Sequence, residues 1–140
     1  MDEAALIEAV EAAFALGEVA KVVELIRLVR ESFRPGRQPS MDAHILQWEG
    51  RMAAELNDND GAGAKFRAAI DAFATLQRPF WLAVTRLELA EWLLAQGRDA
   101  EAREPLAQAR ATFEELRTAP WVNRAIRGAA AHMASTALPA

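Results

Sequence analysis

Residues 79–119 read PFWLAVTRLELAEWLLAQGRDAEAREPLAQARATFEELRTA. The spacing predicts two amphipathic helices joined by a tight turn at Gly97-Arg98-Asp99. The first, over about residues 79–96, carries Leu82, Leu89, Ala90 and Leu93; the second, over about 99–117, carries Ala102, Leu106, Ala109 and Phe113. Steps of three and four residues place each set on one helix face. Neither helix can bury that face alone, so the hairpin needs neighbours.

The rest of the chain supplies them at a step of 40 residues. Phe33, Phe73 and Phe113 keep that step, as do Gly17, Asn57 and Gly97 at the turn between helices. Val22, Ala62 and Ala102 follow it, then Ile26, Phe66 and Leu106, then Val29, Ala69 and Ala109. Met1, Met41, Trp81 and Trp121 stand just before or at the start of each first helix, and Pro79 and Pro120 suit a first turn that needs no N–H. Columns that hold residue type and helical phase together are the signature of a repeat array. The expected fold is all-α: three antiparallel helix pairs and a closing C-terminal helix, stacked as a helical-hairpin solenoid. The three phenylalanines should be equivalent in space.

Small residues at Ala90, Ala102 and Ala109, a glycine at the Gly97 turn and a bulky Leu106 make the chain resemble the tetratricopeptide repeat family. The resemblance covers about residues 3–134. It departs in length, 40 residues against about 34, and in the early helix-A aromatic, replaced by Leu6, Leu46 and Arg86. Long, degenerate repeats of this kind look like those of bacterial ATPase-type transcriptional activators and multidomain nucleotide cyclases. Residues 119–125 are similar to their closing repeats. The resemblance implies one domain over 1–134, with repeats at about 2–36, 41–77 and 79–117, a closing helix at 120–134 and a flexible tail at 135–140.

Composition bounds the function. The chain has 140 residues, enough for a sizeable core. A net charge of −4 and a pI near 5.2 argue against a nucleic-acid surface. The absence of cysteine excludes disulfides, thiolate chemistry and Cys-ligated zinc. The apolar run 4–16 is broken by Glu8 and Glu11 and lacks a basic lead-in, so it reads as neither signal peptide nor membrane span, and a cytoplasmic location is expected.

Local punctuation refines the repeats. Gly17 should close the first helix, and Arg34-Pro35-Gly36-Arg37-Gln38-Pro39 should stop the second, with Ser40 capping the third. Asn57-Asp58-Asn59-Asp60-Gly61 invites a calcium loop. With Gly61 at the sixth position, however, Leu56 and Arg67 fall where oxygen donors are required. An Asx-rich turn with Asp60 capping the next helix explains these residues. Pro105 falls near the second turn of its helix, where a short first turn or a mild kink would absorb it.

No catalytic constellation emerges. His44 and His132 share no ligand spacing, and Ser32, Ser40 and Ser135 sit at helix ends or in the tail. Gly61-Ala62-Gly63-Ala64 lacks the flanking residues of a phosphate loop. No enzyme activity, cofactor or metal is expected. Trp81 and Trp121 share a column and read as packing, whereas Trp48 and Trp92 do not.

The tetratricopeptide register implies an inner groove lined by the first helix of each pair. Ile7, Glu11 and Phe14 would come from the first pair, His44, Gln47, Arg51 and Glu55 from the second, and Leu87, Glu91 and Leu94 from the third. The set lacks the Lys/Asn pattern of family members that clamp a C-terminal carboxylate. The resulting expectation is a non-catalytic protein–protein interaction module, part of or companion to a bacterial signalling or transcriptional regulator, with a peptide or helix in this groove. A small-molecule sensor using the same groove is the alternative, and would need an enclosed pocket near Trp48, His44 and Arg51. The first pair is also unusually apolar, so an exposed patch centred on Leu6, Val10, Leu25 and Val29 is expected to meet another protein surface, such as a second copy of the chain.

Overall fold

A computed structural model describes residues 2–34, 36 and 38–137, the stretch 131–137 as helix backbone. Seven helices follow one another among these residues, with no strand. They are α1 (Glu3–Ala15), α2 (Val19–Ser32), α3 (Pro39–Glu55), α4 (Asn59–Thr75), α5 (Pro79–Ala95), α6 (Asp99–Glu115) and α7 (Ala119–Ala137). The chain forms two compact units, residues 1–72 and 73–140, and their boundary falls within α4.

The backbone repeats at half the step visible in the sequence. From α3 onward each helix starts 20 residues after the last, at Pro39, Asn59, Pro79, Asp99 and Ala119. One turn geometry recurs between them. Gly17, Asn57, Gln77, Gly97 and Arg117 all have positive φ, between 55° and 74°. At each, two hydrogen bonds close the preceding helix. The Gly97 N–H donates to the Leu94 carbonyl and the Arg98 N–H to the Leu93 carbonyl. The same pair recurs at Glu18 with Ala13, Asp58 with Ala53, Arg78 with Phe73 and Thr118 with Phe113. This is the Schellman closure, which satisfies the last carbonyls and reverses the chain within three residues.

The residue that completes one closure also starts the next helix. Of these, Asp58 caps with its side chain: its Oδ1 accepts the Gly61 N–H at 3.1 Å. The cap of α4 is therefore Asp58, and Asp60 lies inside the first turn. A Cβ on Gly61 would lie 2.3 Å from the Asp58 carboxylate, so glycine makes room for the cap. Ser40 does not cap α3 either. Gln38 holds the cap position, Pro39 fills the first helical position, and the Ser40 hydroxyl donates to Glu3 Oε1 at 2.8 Å.

The rhythm breaks once, between α2 and α3. Arg34 precedes a proline, which disfavours helical backbone there. α2 ends at Ser32, and Phe33 is extended, with φ −125° and ψ 95°. Phe73 and Phe113, by contrast, are helical and fully buried, while Phe33 is half-buried. The three phenylalanines are thus not equivalent. Pro105 leaves α6 unbroken from Asp99 to Glu115, with no shortened first turn. α7 runs three residues past its expected end, and residues 138–140 of the expected tail lie outside the described residues.

The helices differ in how much of their surface is buried. α2 buries one stripe, Val22, Ile26 and Val29, and α6 buries Ala102, Leu106, Ala109 and Phe113. α3 and α5 are buried on most sides; α5 hides even Thr85 and Glu88. In the first unit the core joins Leu6 and Val10 of α1, Val22 and Val29 of α2, and Met41 and Trp48 of α3. Gly50 of α3 meets Phe66 of α4 so closely that a Cβ would lie 2.8 Å from the ring. Glu49 ties α3 to both neighbours, through Arg30 at 2.8 Å and Lys65 at 3.7 Å. In the second unit α5 packs on α6, and both meet α7. Phe80, Phe113 and Trp121 form an aromatic cluster there: Trp121 stacks on Phe113 at 5.4 Å and Phe80 stands edge-on to both.

Leu6, Val10 and Val29 therefore belong to the core rather than to a surface patch, and Leu25 packs half-buried against it. Small alanines fill the outer side of α1, so the helix looks apolar all round in sequence while burying one stripe. Apart from Glu8, its exposed positions are Ala4, Ala5, Ala12 and Ala15, and alanine tolerates water.

Candidate functional site

The faces of the odd helices carry the groove residues, and each unit builds its own. On α1, Ile7, Glu11 and Phe14 stand four and three residues apart and share one side. Glu11 is met from α3 by two donors. Arg51 Nη1 lies 2.8 and 2.7 Å from its two carboxylate oxygens, and the Trp48 indole N–H donates to Oε2 at 3.1 Å. The Arg51 guanidinium also lies over the Phe14 ring, 3.9 Å from its centroid. With side-chain exposures of 22% and 27%, the Arg51–Glu11 pair is partly shielded from water. It is accordingly less screened than an exposed pair, whose contribution is about 0–1 kcal/mol.

His44 and Gln47 do not reach a surface. They are 3% and 0% exposed; His44 Nδ1 lies 3.1 Å from Gln47 Oε1, and the imidazole stacks on Trp48 at 5.4 Å. Buried polar groups must pair, and these pair with each other. Glu55 is exposed and borders a crevice of about 10 Å³ beside Phe14 and Val19, the size of one water.

The second unit repeats the carboxylate–guanidinium device with different residues. Glu91 on α5 receives Arg124 of α7 in a two-point fork, Nε to Oε2 at 2.9 Å and Nη2 to Oε1 at 2.5 Å. Trp121 supports the guanidinium from below, with its ring centroid 5.1 Å away. Together with Leu94, Arg127 and Gly128, this pair lines an open concavity of about 380 Å³. Leu87 is buried and takes no part in it.

Of the expected groove residues, then, Ile7, Glu11, Phe14 and Arg51 gather on one face and Glu91 and Leu94 on another. His44, Gln47 and Leu87 are core. Trp48, expected only beside a ligand pocket, joins Glu11, and Arg124 and Arg127 stand outside the expected groove set. Glu11 and Arg51 hold opposite charges one 40-residue step apart, a visible signal; Arg124 stands off that column and gave none.

Among the described residues no cluster of His, Asp and Glu could hold a metal ion, and no helix is long and apolar enough to cross a membrane. Comparison of the chain with family models, curated proteins and solved structures finds no match.

Proposed function

We propose that the chain is a tetratricopeptide-like helical-hairpin repeat that works without catalysis, binding a peptide or helix on the faces of its odd helices. The observation that carries this reading is the 20-residue recurrence of a helix and a left-handed turn. It supports a hairpin repeat whose groove residues, such as Glu11, Arg51 and Glu91, stand on odd helices, as in helical repeats that bind on one face. The sequence resemblance further suggests a place within, or beside, a bacterial signalling or transcriptional regulator. A small-molecule sensor is less well supported, because the polar atoms of His44, Gln47 and Trp48 pair with neighbouring side chains.

The test is selection of a random twelve-residue peptide library on the immobilised chain, followed by hydrogen exchange with the strongest binder. Protection should rise on α1 and α3 or on α5 and α7. Failure to enrich any peptide, or protection confined to α2, α4 and α6, rules the reading out.

A further inference from the structure

We infer that the α5–α7 concavity takes an acidic peptide segment, a carboxylate on Arg127 beside an apolar side chain on Leu94. The inference rests on the peptide-binding reading and adds the chemistry of the partner. Three observations carry it. First, Arg124 is committed: Glu91 occupies its fork and Trp121 its underside, so the pair forms a fixed and nearly neutral wall. Second, Arg127 stands one turn further along α7, exposed, and makes no ion pair among the described residues. Among the described residues the concavity thus holds two guanidinium groups against one carboxylate, with Leu94 as an apolar ledge. Third, the surrounding charge does not oppose an anion. Residues 73–140 carry eight Lys and Arg against seven Asp and Glu, whereas residues 1–72 carry eight against thirteen. An acidic segment is repelled by the first unit's charge and tolerated by the second's.

Peptides selected on the chain are the probe, each synthesised with a fluorescent label and measured by anisotropy. The expected set is enriched in Glu or Asp next to Leu, Ile or Met. Its binding should weaken about tenfold in Arg127→Glu, fall with added salt, and weaken again when the peptide Glu is replaced by Gln. Arg127 is exposed, so the variant should fold, and an unchanged circular dichroism melt verifies that. Leu94→Ser provides a second, uncharged lesion in the same concavity and should weaken the same peptides. Selected peptides without acidic bias, or peptides that bind Arg127→Glu as well as the parent, overturn this inference and leave the peptide reading standing. If no peptide is selected, both fall.

Discussion

Gln77 and Arg117 hold a left-handed backbone, φ 55° at each, where Gly17 and Gly97 do the same without a Cβ. An L-residue in that conformation costs roughly 1–2 kcal/mol. Glycine's greater freedom in the unfolded chain takes back about 0.4–1 kcal/mol. Gln77→Gly and Arg117→Gly should therefore each stabilise the chain by about 0.5–1 kcal/mol, read as a rise of a few degrees in Tm. Gly97→Ala is the converse. A Cβ there would meet nothing within 4 Å, so the loss of about 1 kcal/mol would be backbone strain alone. If the glycine variants melt lower than the parent, the shared turn geometry is wrong. Pro105 offers a second residue-scale test. Inside α6 it has no N–H to give the carbonyl four residues back, a defect of about 3 kcal/mol. Pro105→Ala should raise stability by up to about that amount in urea melts, with no change in the m-value.

At the scale of the element, α5 and α6 were the most legible, because four signals agree there: Pro79, the Gly97 turn, and two periodic faces. The observed ends at Ala95 and Glu115 fall within two residues of those expected. α2 was legible as far as Val29. Beyond it, the column of phenylalanines suggested equivalence that Pro35 prevents, since a local backbone restriction outweighs one more apolar contact. The 20-residue recurrence was hidden for a different reason. Gln77 and Arg117 do not announce a left-handed turn, so only the glycine and asparagine turns were visible, and those are 40 apart. The site suffered most. Periodicity can place a side chain on a face but cannot say whether a neighbouring helix covers that face, and so it puts the buried His44, Gln47 and Leu87 in the groove. The register of α6 itself is open to a direct check. Ala109 is fully buried and Ala107 is exposed on the same helix. Ala109→Leu should overpack the α5–α6 contact and cost about 1–3 kcal/mol, while Ala107→Leu should stay within about 0.5 kcal/mol of the parent. Equal melting temperatures for the two variants would show that the face is misassigned.

For the whole molecule the open question is self-association, and the placement of the first unit's apolar residues decides what to expect. With Leu6, Val10 and Val29 inside, the large apolar side chains left in water around α1 and α2 are Leu16, Val19 and Val23, at 72%, 38% and 55% exposure. Charged Glu18, Lys21 and Glu24 stand between and beside them. Scattered aliphatics among charges are ordinary surface and give a second copy little to bury. The excess of carboxylates in residues 1–72 adds repulsion between like units at low salt. Light scattering on the isolated chain should accordingly return the mass of one copy, 15.3 kDa, at micromolar concentration. Val23→Glu should change neither that mass nor the melting temperature by a measurable amount, because the side chain is already solvated and contributes little to the core. A doubled mass that falls to the single value in Val23→Glu would mean instead that these three residues form an interface between copies. A doubled mass indifferent to that substitution, but lost at high salt, would place the contact among the charged helix faces.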